Sequence, residues 1–462
     1  MRLPIAAAMA ALGATLYDAD AAPPELRIST DTRTLERGDA FLALRGARLD
    51  GHDFTVEAVH RGASLLVVDE PQARVNGTAT MLVARTQLAY MALAGLARDR
   101  FAGHVIAITG STGKTTTKNF LSDLLAARFG ARVIAAPANE NNEIGVSKLL
   151  LEASNEEHDA IVVEMGARYP DDIEKLAAFV KPDVGVLTNI GDAHLEIMGS
   201  RERLAEAKWA LFSQGARAVL NADDEVSIAR SSALSHPPHW FAACSEAQRL
   251  ECDGRMTVVI GSRRILDFDD GTIAEIPIQF AIPGAHNRAN LAAAVAGALE
   301  LGVELESMGQ AIARLRLPEG RFESIEMPGG WRVIFDAYNA SAGSMMAALD
   351  AFSEEKPRRA IAVLGSMAEL GAESVALHER VGAHAAARVD VLLVAGDYAG
   401  ALADGAIGAG FPRAGLVPVA SNAEAASWLQ ANARQGDAVL LKGSRKYRLE
   451  EILERLHPVM PT

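Results

Sequence analysis

Cysteine is scarce. Only Cys244 and Cys252 occur in 462 residues, with no Cys-x-x-Cys pair and no paired histidine motif. That argues against a disulfide framework and a zinc cluster, and a reducing cytoplasm becomes the natural compartment. Long apolar runs are missing too, since no stretch reaches the roughly 18 residues that a membrane span requires. The alanine-rich segment 1–22 resembles a weak secretory leader, but it lacks a basic opening beyond Arg2, and Asp18 and Asp20 interrupt it. Leu12, Leu16 and Tyr17 stand at helical spacing, so a short N-terminal helix is expected there instead. Basic charge is in deficit: 45 Lys and Arg face 59 Asp and Glu, a net charge of −14. A nucleic-acid scaffold should be basic, so none is expected as a partner. Anionic small ligands stay open, because they need only a local positive pocket. Repeats and low-complexity tracts are absent, and a composition 49% hydrophobic and 23% charged excludes a disordered or collagen-like chain.

What is present is alternation. At roughly 100–200 residues per domain the length predicts two to four domains, three being the central expectation. From His104 onward short β-branched runs alternate with helical patterns, as in parallel α/β structure. Strands are predicted at 104–109, 160–164, 184–189 and 218–221, and helices at 114–127, 171–180, 201–212 and 287–301. A second series has strands at 333–336, 360–365, 391–395 and 438–442, with helices at 344–352, 375–388 and 423–433. Residues 240–282 carry short alternating pieces, such as 256–260 and 276–280, and read as a small antiparallel addition. Boundaries near residues 102 and 316 divide the chain into 1–102, 103–316 and 317–462.

The strongest local signal is Ile-Thr-Gly-Ser-Thr-Gly-Lys-Thr-Thr at 108–116, after a strand and opening a helix. Gly110 and Gly113 let the backbone curl so that N–H groups of Ser111, Thr112 and their neighbours face a phosphate. Lys114 can neutralise β- and γ-oxygens, and Thr115 can ligate Mg²⁺, with Thr116 following. A full Walker loop would have glycine where Ile108 stands, so this is a shortened form. Glu164 ends an apolar strand, and in an open parallel sheet the strand carboxyl ends face the ligand crevice. His194 closes Thr-Asn-Ile-Gly-Asp-Ala-His, and Lys208 lies on the next helix, where an ordinary lysine is solvated. Downstream stand Asn287 and Asn290 at a helix start, Arg321 near a domain boundary, and Asp336, Tyr338, Asn339 and Lys442 at strand ends. Each is weak alone, yet each falls where crevice residues belong.

Taken in order, these motifs resemble the Mur ligase family along essentially the whole chain. The shortened P-loop, Asn-Glu-Asn-Asn-Glu-Ile-Gly (139–145), Glu-Met-Gly, Asn-Ile-Gly-Asp-Ala-His, Ala-Lys, His-Asn-x-x-Asn, Gly-Arg, Asp-x-Tyr-Asn and Lys-Gly-Ser-Arg all carry the resemblance. Asn141-Asn142-Glu143, Tyr338-Asn339 and the run 364–371 followed by His378 are closest to the branch that adds D-alanyl-D-alanine to a UDP-N-acetylmuramoyl-tripeptide. The resemblance implies three α/β domains: a small one for the UDP substrate, a central parallel sheet with the P-loop, and a Rossmann-like C-terminal one for the amine. It implies an ATP-dependent ligase of peptidoglycan precursor synthesis that forms a C–N bond through an acyl phosphate and acts as a monomer on small-molecule substrates.

By the same resemblance Lys114 cradles the ATP phosphates and Thr115 holds one Mg²⁺. Glu164 and His194 ligate a second Mg²⁺, which Lys208 orients once carbamylated. Asn287, Asn290, Arg321 and Asp336 contact the nucleotide. Thr30, Asp31 and Arg33 contact uridine nucleotide, while Asn141, Asn142, Tyr338, Asn339 and Lys442 face the substrates. Four positions depart from the family pattern: Ser147 for proline, Ala210 for an acidic or polar residue, Ser341 for asparagine and Ser366 for aspartate. The last two fall in segments expected to face the amine, so a different amine, or a ligase outside the cell wall, is the alternative. A P-loop kinase or ATPase, and a non-catalytic binding protein, are the rivals from other classes; the set Lys114, Glu164, His194 and Lys208 argues against both.

Overall fold

The computed structural model describes residues 1–192, 195–244, 254–269 and 271–456. Three mixed α/β units follow one another, each built on a sheet that is parallel except at an edge. The central sheet has nine strands. Its parallel part runs, in spatial order, Val133–Ala135, Ala160–Glu164, His104–Thr109, Val184–Leu187, Arg217–Asn221, His239–Cys244 and Met256–Ile260. Strand interiors here are mostly apolar because both faces are covered. Alternation still sorts them. Val105, Ala107, Ile161 and Val163 join one core, while Ile106, Ile108, Ala160 and Val162 join another under the helices Lys114–Phe129 and Ala285–Glu300.

The chain order makes His104–Thr109 the switch point, flanked on both sides by later strands. The carboxyl ends of three adjacent strands therefore meet, and the loops that leave them form one crevice wall.

The C-terminal sheet has six strands in the order Glu323–Met327, Trp331–Phe335, Asp437–Lys442, Arg359–Leu364, Val391–Val394 and Leu416–Pro418, parallel after the first hairpin. Its faces sort in the same way: Ala360, Ala362 and Leu364 on one side, Ile361 and Val363 on the other. The N-terminal sheet has five strands, with Thr15–Tyr17 antiparallel at its edge.

Two expectations change. Helical spacing at Leu12, Leu16 and Tyr17 does not mark one helix. The helix Ile5–Leu12 stops at Gly13, whose φ of 55° is left-handed, and Thr15–Tyr17 is a strand against Ala79–Leu82. Three apolar residues fit either period, and the sheet edge decided. The region 240–282 is not a separate antiparallel piece either. Its first two strands extend the parallel sheet, and only Arg264–Asp269 and Thr272–Pro277 turn antiparallel. No helix among the described residues is long and apolar enough to cross a membrane.

Candidate active site

A crevice of about 1090 Å³ opens between the central and C-terminal sheets. It is lined by the P-loop, Asn141, Glu164, Asn287, Asn290, Arg321, Asp336, Tyr338 and Lys442, among others. The P-loop leaves the switch-point strand and enters the helix Lys114–Phe129. Gly113 has φ 82°, and a Cβ there would overlap Oδ1 of Asn290, so glycine is required on both counts. The loop is strapped to the end of the neighbouring strand. The Ser111 N–H donates to the Asn189 carbonyl (2.9 Å), the Thr112 N–H to Asn189 Oδ1 (3.2 Å), and the Thr188 hydroxyl to the Thr112 carbonyl (2.6 Å).

Two lysines converge on one carbonyl. Lys114 Nζ donates to Gly110 O at 2.8 Å, and Lys208 Nζ donates to the same oxygen at 3.0 Å. Burial lowers the pKa of Lys114, and Arg321 adds to this while Glu164 opposes it. Lys208 is 2% exposed, and burial, with Lys114 beside it, drives its pKa well below 10.5. A lysine in that state is a neutral amine far more often than a surface lysine is.

Glu164 is also 2% exposed. Its Oε1 accepts from Asn141 Nδ2 at 2.7 Å, while Oε2 is buried with no hydrogen-bond partner. A buried carboxylate oxygen without a donor is costly, and a bound cation would satisfy it. Glu164, the Thr115 hydroxyl and the crevice asparagines supply oxygen donors suited to Mg²⁺.

The C-terminal unit reaches this wall through Arg321, whose Nη2 donates to the Thr115 hydroxyl at 3.3 Å and whose guanidinium lies 4.7 Å from the Tyr338 ring centre. The turn that carries it holds Phe322 at φ 48°, with the Phe322 N–H on Asp336 Oδ1 at 3.3 Å.

The structure brings most of the expected residues together, with different employment for several. Lys442 is buried and donates to Asp336 Oδ2 at 2.7 Å and to the Asp336 and Asn339 carbonyls at 3.2 Å. It organises the strand ends instead of offering a free charge. Asn142 accepts from the Gly145 N–H and caps a helix, whereas Asn141 orients Glu164. Asn287 donates to the Pro283 carbonyl at 2.7 Å, and Asn290 accepts from the Thr117 hydroxyl at 3.4 Å. Thr30, Asp31 and Arg33 are not part of the crevice lining; they sit on the N-terminal unit, where Arg33 pairs with Asp31 at 2.6 Å and holds its pKa at about 2. His194 lies outside the described residues.

The two serine departures serve the backbone. Ser341 caps the helix Ala342–Glu354 in a reciprocal pair with Ser344. Ser366 is fully buried, accepts from the Tyr398 N–H (2.8 Å) and donates to the Ala395 carbonyl (3.2 Å). Ser366 does not line the crevice.

Sequence reasoning passed over Asn189, which holds the P-loop, although its place at a strand end was a signal. It also missed Lys118, buried in the P-loop helix and donating to the Ala136 and Ala138 carbonyls at 2.6 Å, just before the Asn141 loop.

Known proteins share this arrangement over its full length. The Mur ligase middle-domain profile matches residues 108–298, the Mur ligase glutamate ligase domain 320–445, and the Mur ligase catalytic domain 27–99. The chain belongs to the Mur ligase family. A relative from Synechocystis named UDP-N-acetylmuramoyl-tripeptide–D-alanyl-D-alanine ligase is 36% identical, the match covering 94% of this chain and 92% of the relative. The ligase of the same name from Escherichia coli K12 is 32% identical, with 93% of each chain covered. A crystal structure of MurF from Acinetobacter baumannii superposes with a TM-score of 0.85 at 30% identity over 99% of both chains. MurF from Thermotoga maritima, solved with ADP, superposes at 0.76 and 27% identity, covering 93% of this chain and 97% of that one. As a Mur ligase, the chain is an ATP-dependent enzyme that forms a C–N bond.

Proposed function

We propose that this protein joins D-alanyl-D-alanine to a UDP-N-acetylmuramoyl-tripeptide in the cytoplasm, with ATP activating the tripeptide carboxylate as an acyl phosphate. The observation that carries the reading is the buried, half-satisfied Glu164 in the same crevice as Lys114, which shares the Gly110 carbonyl with buried Lys208, on a chain matched over more than nine-tenths of its length by ligases of that name. In this reading residues 1–102 take the uridine nucleotide through Thr30, Asp31 and Arg33, residues 103–316 take ATP, and residues 317–462 bring the amine.

The reaction collects negative charge, since a carboxylate must approach a triphosphate. Lys114 and the P-loop N–H groups neutralise the phosphates, and Arg321 approaches them from the other unit, so the reacting groups are complete only when both units meet. Thr115, and Glu164 with His194, would hold two Mg²⁺ ions, whose chemistry is to offset phosphate charge and polarise the transferred group. Burial favours the neutral amine of Lys208, the form that takes up CO₂ with loss of a proton, and the resulting carbamate would place an anion where a cation stands beside Lys114. Asn287, Asn290 and Asp336 line the nucleotide side, while Tyr338 and Asn339 line the amine side.

The alternative of another acyl donor and amine drew on Ser341 and Ser366. Their side chains are engaged with backbone, so they lend it no support. The test is phosphate release with UDP-muramoyl-tripeptide, ATP and D-alanyl-D-alanine under single omissions. Release that persists without the dipeptide, or that other dipeptides stimulate better, would refute the assignment.

A further inference from the structure

We propose that Arg445 binds the carboxylate of the incoming amine substrate and so sets which end of that substrate meets the acyl phosphate. This rests on the ligase reading above. Six cations line the crevice: Lys114, Arg168, Arg321, Lys442, Arg445 and Lys446. Five are engaged. Lys114 is held by Gly110 O, Arg168 lies 3.5 Å from Glu369, and Arg321 is on Thr115. Lys442 is paired with Asp336 and Lys446 with Asp397, at 2.7 and 2.9 Å. Among the described residues Arg445 has neither a hydrogen bond nor an ion pair for its side chain. Its guanidinium stands 5.8 Å from the Tyr338 ring centre.

Thr115, Arg321, Tyr338 and Arg445 thus form a continuous series of neighbours from the phosphate loop into the C-terminal unit. Arg445 is its last member. Tyr338 feels both ends of the crevice: burial raises its pKa, Arg321 and Arg445 oppose that, and the Glu164 carboxylate adds to it. Glu164, Tyr338 and Arg445 line the same crevice.

The base of Arg445 is rigid. The Ser444 N–H donates to the Ser366 carbonyl at 3.2 Å, and a short 3-10 turn, Arg445–Tyr447, follows. The side chain is exposed and can swing onto a ligand.

The chemistry asks for such a group. A dipeptide amine is a zwitterion. Its nitrogen must lose a proton and attack the acyl phosphate, whereas its own carboxylate must stay away from cations that serve the phosphates. A guanidinium recognises a carboxylate through two parallel N–H···O bonds, which fixes direction as well as position. Lys442, expected to face the substrates, is occupied by Asp336.

The test compares D-alanyl-D-alanine with its C-terminal amide as acceptors, using the full-length enzyme, ATP and UDP-muramoyl-tripeptide. Arg445→Ala should raise KM for the dipeptide acid about tenfold to a hundredfold, the usual range for losing a charged hydrogen-bonded pair. Turnover at saturation and KM for the UDP-tripeptide should stay near wild type, because uniform binding is lost and no transition-state contact is. Wild type should prefer acid to amide by the same factor, the variant should show no preference, and Arg445→Lys should recover part of it. A role confined to supporting Tyr338 would leave the acid-to-amide ratio intact, and that result overturns the proposal. So does a rise in the KM of the UDP-tripeptide in place of that of the dipeptide. Failure of wild type to use any dipeptide would instead overturn the ligase reading itself, and this proposal with it.

Discussion

Replacing Lys208 by methionine should give a protein that is more stable and inactive. The magnitude follows from the surroundings of the side chain. The lost bond from Nζ to Gly110 O is worth about 1 kcal/mol, and the carbonyl is not orphaned, because Lys114 still donates to it. On the other side stands an amine 2% exposed next to a second lysine, with no acidic hydrogen-bond partner among the described residues. Exchanging buried ionic groups for apolar ones of similar volume commonly gains roughly 1–4 kcal/mol. A net gain of up to about 3 kcal/mol is expected, or about 2–4 °C in the unfolding midpoint per kcal/mol for a unit of this size.

The pH dependence makes the argument specific. The folded-state pKa of Lys208 lies below the ordinary 10.5, so between the two values the unfolded chain binds more protons than the folded one. Wild-type stability must therefore rise with pH across that window, and the penalty vanishes above 10.5. The advantage of Lys208→Met should be clear at about pH 7 and shrink by about pH 9.5. Thermal unfolding in CO₂-depleted buffer measures both. Added bicarbonate should raise the wild-type midpoint and leave the variant unchanged, because only a neutral amine forms a carbamate. A variant less stable than wild type at neutral pH, or a gap that does not narrow with pH, would refute the account of Lys208 as a desolvated base.

Three further outcomes are expected. Lys114→Ala should lower ligation by about 2–4 kcal/mol of transition-state stabilisation, close to abolishing it, in a protein that still folds; near-normal turnover would remove the phosphate role from this loop. Gly113→Ala should weaken ATP binding, read by calorimetry, because its Cβ would displace Asn290 from a left-handed turn. Ser366→Ala should cost about 0.5–1.5 kcal/mol by removing the acceptor of the half-buried Tyr398 N–H, yet leave amine preference intact; a changed preference in a panel of dipeptides would return this serine to the amine site.

Much of the site was legible along the chain because its chemistry is local. A P-loop needs two glycines, a lysine and a helix start within a few residues, and those contacts close within one turn. Glu164 was legible because an acid ending an apolar run in a parallel sheet must face the crevice. The alternation of strands and helices was readable for the same reason, since period and β-branching are properties of short windows. The N-terminal strand Thr15–Tyr17 was not, because three residues carry no period of their own and its partner lies more than sixty positions away.

The sequence by itself determined the family, the order of the three units and the place of the glycine-rich loop between a strand and a helix. Only the tertiary structure decided how each polar side chain is employed. It commits Lys442 to Asp336, Asn141 to Glu164, and Ser341 and Ser366 to backbone N–H groups, and among the described residues it leaves Arg445 without a counter-ion. The physical reason is that a charge or hydroxyl is defined by its nearest partner. In a folded sheet that partner is set by strand order, which places residues 106 positions apart within hydrogen-bond reach, as for Lys442 and Asp336.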